Sequence, residues 1–350
     1  VPPETDTDFL VHARSATLAT LAEALRGARD VALLDVPNQR NVGDALILAG
    51  QLAYLEELGV RIRYVSDLHF FDPDRLRSAM PTGTVLLHGG GNLGDLWPGH
   101  QDYREEVVRT LHDYPVVQLP QSVYFQDRRR AANADRVLGS HPDLLLLLRE
   151  PASQDRAQTQ LPNVRQAFCH DMALGHRPRP SDPDRTRDVL LVLARQDKER
   201  AHDLPAIARP LAGRLETRVT DWAPEGVLGT AWRAARTTAR FSGRVERRLG
   251  PGGTSTAVNR LTRHALWTIN RAAVAGGTAV YRDAAVALVD RLHAHVLAGL
   301  LGVEHVVLDN SYGKVGAVYE AYTHGFRTAH FASSEDEAQE ILASLVHASA

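Results

Sequence analysis

From Ala284 to Lys314 the chain reads AAVALV–DRLHAH–VLAGLL–GVE–HVVL–DNSYGK, that is 284–289, 290–295, 296–301, 302–304, 305–308 and 309–314. An apolar run ends in the charged edge Asp290-Arg291-Leu292-His293. A second apolar stretch of helical length follows, then a third short apolar run that ends in the polar loop Asp309-Asn310-Ser311-Tyr312-Gly313-Lys314. This is strand, helix, strand, with polar residues where each strand finishes. In an open α/β sheet the loops beyond the carboxyl ends of the strands form the ligand crevice. Arg291, His293 and Lys314 are therefore expected to face one cleft, and their cationic groups suit an anion. The most economical ligand is a small phosphorylated carboxylate.

The same alternation occupies the rest of the chain, with one interruption. Val31–Val36, Arg61–Val65, Thr84–Leu87, Pro115–Leu119, Asp143–Leu148 and Val164–Cys169 read as strands, separated by amphipathic stretches of helical spacing. The first helix is expected over 9–29. Residues 1–175 are thus read as one Rossmann-like domain, 176–187 as a Pro-, Arg- and Asp-rich linker, and 188–350 as a second such domain. Between about Trp222 and Arg282 the pattern is helical and basic, giving a helical insertion of about 222–275 with Trp232, Phe241, Leu261 and Trp267 as expected core anchors. The last helix, 335–347, is a candidate to lean back on the first domain. Two Rossmann-like α/β domains facing across a cleft form a GT-B-like arrangement, which by itself names no chemistry.

Composition narrows the class. With 44% hydrophobic and 23% charged residues the 350-residue chain has the make-up of a globular protein of two domains. A formal net charge of -2 gives no global field toward nucleic acid or a membrane. A single cysteine, Cys169, excludes a disulfide framework or a cysteine-rich zinc site. No apolar run is long enough to span a bilayer. The N-terminus does not resemble a signal peptide, so the expected compartment is cytoplasmic.

Several strand ends carry polar motifs. Thr84–Leu87 runs into His88-Gly89-Gly90-Gly91-Asn92-Leu93-Gly94-Asp95, where successive glycines let backbone N–H groups converge on an anion. This is neither the dinucleotide fingerprint nor a P-loop. Val31–Val36 leads to Asn41-Val42-Gly43-Asp44, Leu119 to Pro120-Gln121-Ser122, Leu148 to Arg149-Glu150, and Cys169 to His170-Asp171-Met172-Ala173. Each has a plain structural alternative: Asn41 and Asp44 as a helix-start device, Asp290 as a cap for the following helix, Arg149-Glu150 as a local salt bridge. His293 and His295 form a His-x-His pair, but on a helix those positions face different ways, which argues against a metal site.

Taken together and in this order, these motifs resemble the polysaccharide pyruvyl transferase family over roughly residues 31–325. The resemblance implies transfer of a pyruvyl group from phosphoenolpyruvate onto two hydroxyls of a sugar, a GT-B-like fold and no required metal or cofactor. It further implies that Arg149, His293 and Lys314 bind phosphoenolpyruvate. The chemistry fits: Arg149, Arg291 and Lys314 can neutralise a phosphate and a carboxylate, and ketal formation needs a general acid, a base and an anion clamp. His293 is the first choice for the acid or for a phosphate contact, and Asp44, Asp95 or Asp171 for the base. Asn41, Gly89, Gly90, Gly91, Asn92, Gln121 and Ser311 complete the expected substrate-binding set. The acceptor is a saccharide that can be free or lipid-linked, which leaves peripheral membrane association open. Two alternatives remain at this point: a GT-B glycosyltransferase with a nucleotide-sugar donor, and a non-catalytic glycan-binding protein.

Overall fold

The structure is a computed structural model and describes residues 6–178, 187–195, 201–249, 253–311 and 313–349. Most of the expected linker, part of the glycine cluster at 249–253, and Tyr312 lie outside these residues. Twelve strands are present among the described residues: β1 Asp30–Leu34, β2 Arg61–Val65, β3 Thr84–Leu87, β4 Gly90–Gly94, β5 Val116–Tyr124, β6 Leu144–Leu148, β7 Gln166–Phe168, β8 Val189–Leu193, β9 Glu216–Thr220, β10 Ala284–Val289, β11 Glu304–Leu308 and β12 Ala329–Ala332. They form two wholly parallel sheets. The first has the order β2-β1-β3-β5-β6-β7, with β4 also paired to β5; the second has the order β12-β11-β10-β8-β9. Parallel strands covered on both faces need continuous apolar runs, and LLLLL in β6 and VLLVL in β8 supply them.

Each sheet reverses its strand order once, between β1 and β3 in the first and between β8 and β10 in the second. Ligands bind outside the carboxyl ends of strands at such switch points. Here the two switch points meet: the residues after β1, β3, β8 and β10 line one cavity.

The glycine-rich stretch differs from the expectation of a loop. Gly90–Gly94 is a short strand, and β5 continues through Pro120 to Tyr124 to receive it. Proline has no N–H to give to a ladder, and the β5–β6 register shifts between Gln118 and Gln121, which accommodates Pro120. Gly94 allows the close approach, since a Cβ there would sit 1.8 Å from the Tyr124 carbonyl oxygen.

The basic stretch folds as an antiparallel pair of helices, Gly226–Arg248 and Gly253–Val280, in which Asn259 meets Glu246 and Thr262 meets Ser242. It lies against the first domain: Asn270 donates to the Pro37 carbonyl at 2.8 Å, Arg263 to that of Ile62 at 3.0 Å and Asn259 to that of Val65 at 3.1 Å. Trp232 is buried as expected. Phe241 and Leu261 are not core anchors: they are 66% and 47% exposed, because the helix faces that pack carry Trp232, Ala235, Ala239 and Leu266, Ile269 instead.

The terminal helices also correct an expectation. The last helix, Glu335–Ser349, packs on its own sheet, its Ala338, Leu342 and Val346 clustering with Leu190, Val192, Val306 and Leu308. The first helix, Asp6–Leu25, is the one that reaches across, placing Phe9 edge-on against Phe326 with centroids 5.2 Å apart. One apolar cluster runs through Leu33, Leu86 and Leu147 of the first sheet, Leu266 and Ile269 of the hairpin, and Leu191, Ala287 and Val307 of the second sheet.

Candidate active site

A cavity of about 390 Å³ lies between the two switch points. Arg149 stands at its floor, at the end of β6, only 1% exposed. Its Nε donates to Ser122 Oγ at 2.9 Å and its Nη1 to Asp171 Oδ2 at 2.5 Å. The third nitrogen, Nη2, is buried and has no protein partner. It lies beside Gly91: a Cβ on Gly91 would be 3.1 Å from Arg149 Nη2 and 3.3 Å from Lys314 Nζ. The two cations thus converge on one spot from different domains. A desolvated guanidinium nitrogen with an unused donor is costly unless an anion takes it.

Lys314 is held by its own loop. Asp309 Oδ1 accepts from Asn310 N at 2.8 Å and Val315 N at 3.0 Å, and Asn310 Oδ1 accepts from Lys314 N at 2.9 Å. Gly313, at φ 77, supplies the left-handed turn that sets Lys314 at the start of the helix Lys314–Ala321.

His293 is the second residue of the helix Leu292–Leu300, and its Nε2 lies 3.2 Å from Asp171 Oδ2. The helix Val42–Glu57 begins against it: a Cβ on Gly43 would sit 2.8 Å from His293 Nδ1. Asp171 is shared by Arg149, His293 and the Ala173 N–H. Burial alone would raise its pKa, but the Arg149 guanidinium and His293 outweigh this and hold the carboxyl well below the usual range. Burial would likewise lower the Arg149 pKa, and the Asp171 and Glu150 carboxylates more than offset it. A carboxylate tied up in this way is a poor base; Asp171 instead fixes the Arg149 guanidinium and the His293 ring.

The other expected residues separate clearly. Asn41, Asp44, Gly91, Asn92 and Arg291 line the cavity. Asn41 does cap its helix, through Gly43 N, and its amide also donates to Asp44 at 2.9 Å. Arg291 lies 2.7 Å from Asp221, an ion pair out of line for a hydrogen bond. Gln121 is buried behind the wall, donating to Asn92 Oδ1 and accepting from Asn92 N. Gly89 packs on the Pro120 carbonyl, and Gly90, at φ 139, is buried beside Ile47. Asp95 and Ser311 are not among the lining residues; the Asp95 carboxylate accepts from the backbone N–H groups of Gln126 and Asp127. Asp290 does not cap the helix after it. Burial pushes its carboxyl up to about 6, only partly offset by Arg195 and Arg291. His295 turns away from His293 into the core, toward His305 at 2.8 Å.

The structure adds residues that no motif marked: Gln39, Arg40, Trp97, His100, Arg195, Asp221 and Trp222 also line the cavity. His100 is bound by both carboxylate oxygens of buried Asp35, at 3.0 and 3.1 Å. Asp35 takes a left-handed backbone, φ 59, that few non-glycine residues adopt. Burial opposes protonation of His100, but the Asp35 carboxylate outweighs it and raises the pKa. A larger groove of about 770 Å³, between Val42–Glu57 and Gly253–Val280, is mainly apolar and holds none of the motif residues.

The sequence model of the family described as polysaccharide pyruvyl transferase matches residues 41–312. The chain belongs to this family. It is 28% identical over 313 residues to EpsO of Bacillus subtilis (strain 168), named as a candidate pyruvyl transferase, covering 88% of this chain and 90% of the relative. It is also 28% identical over 314 residues to pyruvyl transferase 1 of Schizosaccharomyces pombe, covering 85% of this chain and 71% of that one. A crystal structure of a protein from Klebsiella pneumoniae subsp. pneumoniae shares the fold, with a TM-score of 0.52 and 18% identity over 92% of this chain and 99% of that chain. The protein is thus a pyruvyl transferase of polysaccharides, and its family match ends two residues before Lys314.

Proposed function

We propose that this pyruvyl transferase takes its pyruvyl group from phosphoenolpyruvate and closes a pyruvate ketal on two hydroxyls of a sugar, releasing phosphate. The observation that carries this reading is the convergence of Arg149 Nη2 and Lys314 Nζ at Gly91 with His293 beside them. Two cations at one point fit a donor that carries a carboxylate and a phosphate on three carbons.

Proton transfer to the enol methylene makes a methyl group and an oxocarbenium-like centre. A sugar hydroxyl bonds to that carbon and gives up its proton. The carbon–oxygen bond to phosphate then breaks, and the second hydroxyl bonds to the same carbon as its proton leaves with phosphate. Arg149 and Lys314 hold the two anionic groups through both steps. His293, oriented by Asp171, donates the proton or steadies the phosphate. The His100–Asp35 pair, on the first-domain wall, serves the hydroxyls, with Asp44 beside it on the lining. Trp97 and Trp222 suit the apolar face of a sugar ring.

The test is thermal stabilisation by phosphoenolpyruvate against a panel of nucleotide sugars. A ligand that binds only the folded chain raises its stability. A rise with phosphoenolpyruvate that Lys314→Ala abolishes is expected. A rise with a nucleotide sugar alone would overturn the reading in favour of a glycosyltransferase.

A further inference from the structure

The helical hairpin Gly226–Arg248 and Gly253–Val280 carries a charge quite unlike the rest of the chain. Residues 226–280 hold nine arginines and a single acid, Glu246; of the chain's 40 basic and 42 acidic residues, the remainder keeps 31 and 41. The small net charge of the whole chain therefore conceals a strongly cationic arm on an anionic body. Glu246 is only 2% exposed and is bound by Asn259 and Thr262, so it neutralises nothing at the surface. Among the described residues none of the nine arginines forms an ion pair with a carboxylate. Arg236 lies over the Trp232 ring and Arg247 over that of Phe70, while Arg233, Arg240, Arg244 and Arg248 are exposed.

The exposed side of the first hairpin helix is not only cationic. Its buried stripe is Trp232, Ala235, Ala239, Ser242 and Glu246. At 100° per residue, Arg233, Arg240, Arg244 and Arg248 fall on the outward face opposite that stripe, Phe241 lies next to them on the same face, and Val227 lies at its edge beyond Phe241. Phe241 and Val227 are 66% and 86% exposed, and Leu261 on the second helix is 47% exposed, so three of the six most exposed large apolar side chains among the described residues sit on this hairpin. Cations flanking outward apolar groups, with no acid, are the make-up of a helix lying in a lipid interface. Arginine attracts anionic headgroups, and the apolar side chains enter the acyl boundary. A nucleic acid or an acidic protein would use the arginines and leave Val227 wet. No helix among the described residues is long and apolar enough to cross a membrane.

We propose that this hairpin docks the enzyme on an anionic phospholipid bilayer, lying flat with Phe241 and Val227 inserted and the adjoining arginines on the headgroups. The inference does not rest on the donor or on ketal chemistry. It has a consequence for the site: Asp221, Trp222 and Ala223 line the cavity, and Pro224 leads directly into the first hairpin helix. Docking the hairpin sets the cavity mouth beside the bilayer, where an acceptor on a lipid would be presented.

The experiment is co-sedimentation of the full chain with vesicles of phosphatidylcholine alone, or with about one quarter phosphatidylglycerol, at low and high salt. Binding to the anionic vesicles should be at least about tenfold tighter and fall with salt. Arg240→Glu/Arg244→Glu/Arg248→Glu should remove it, and Phe241→Ser should weaken it several-fold. Both variants alter exposed side chains, so their melting temperatures should match the parent, and Arg240→Gln/Arg244→Gln provides a milder series with graded loss. Equal partition onto neutral and anionic vesicles, or full binding by the charge-reversed variant, would overturn the proposal. So would an unchanged affinity of Phe241→Ser coupled with displacement from vesicles by single-stranded DNA, which would identify a soluble polyanion as the partner.

Discussion

Arg149 donates through Nη1 to Asp171 Oδ2 at 2.5 Å, and both residues are 1% exposed. The same carboxylate oxygen faces His293 at 3.2 Å from the other domain. One buried carboxylate therefore fixes a guanidinium and an imidazole on opposite sides of the interface. Removing one partner of a buried pair strands the other's charge. Asp171→Asn should cost about 3–5 kcal/mol, measured by denaturant unfolding. A loss smaller than about 1 kcal/mol would mean that Arg149 is neutralised elsewhere.

Lys314→Ala removes a positive charge from the point where the anion is expected and keeps the backbone N–H that bonds to Asn310 Oδ1 in the turn. Loss of one charge-assisted contact is about 1.5–3 kcal/mol, roughly ten- to a hundredfold in the dissociation constant of phosphoenolpyruvate. Calorimetric titration reads it. An unchanged constant would remove Lys314 from the donor site.

What the sequence displayed and what it hid follow from physics at particular residues. LLLLL in β6 and AAVALV in β10 were legible because a strand buried on both faces has no other way to look. Arg149 was legible because a charged residue directly after such a run must sit at the sheet's carboxyl edge. β4 was not, since glycine gives no strand signal and its partner lies beyond Pro120, where a strand would ordinarily have stopped. β9 was hidden as an edge strand of mixed polarity, ETRVT. His100 was hidden for another reason: it sits within a helix, and its carboxylate is 65 positions earlier, at the end of β1. No spacing rule connects them. Phe241 misled because helical periodicity says which residues share a face, not whether anything covers it.

The His100–Asp35 pair should act on turnover. His100→Gln is expected to lower kcat about a hundredfold and to leave stabilisation by phosphoenolpyruvate intact. Asp35→Asn keeps a residue type that tolerates the left-handed backbone and removes the charge that raises the His100 pKa. The corresponding limb of the kcat pH profile should move to lower pH. An unshifted profile with lower stability would reduce the pair to a structural contact.

The buried pair His295–His305 predicts acid sensitivity away from the site. His305 Nδ1 lies 2.8 Å from the Val303 carbonyl, so its proton belongs there and Nε2 accepts from His295 Nδ1 at 2.8 Å. His295 Nε2 then accepts from the Thr323 hydroxyl at 2.8 Å, the nearer of that hydroxyl's two acceptors, the other being the Val318 carbonyl at 3.3 Å, and the chain closes with both rings neutral. Burial pushes His305 down from 6.5 to about 4. A histidine depressed in the folded state stabilises fully above its unfolded pKa. That contribution is lost as pH falls from about 6.5 toward about 4, because the unfolded chain takes up a proton that the native one refuses. The loss should reach about 3 kcal/mol. Urea unfolding across this window checks it, and a His305→Gln variant should show a shallower slope.

Gly91→Ala tests the convergence itself. Gly91 lies on the cavity lining with no positive φ, so alanine can take its backbone without strain. The new Cβ would fall 3.1 Å from Arg149 Nη2 and 3.3 Å from Lys314 Nζ, in the space between the two cations. The lysine tip can move aside, but Arg149 cannot, being locked by Ser122 and Asp171. The methyl group should exclude an anion from Nη2 while the fold persists. Phosphoenolpyruvate affinity should fall at least about tenfold, as for loss of a charge-assisted hydrogen bond, with a melting temperature close to the parent's. An affinity equal to the parent's would place the donor's anionic groups elsewhere in the cleft, on Arg291 and Arg195, whatever Lys314→Ala shows.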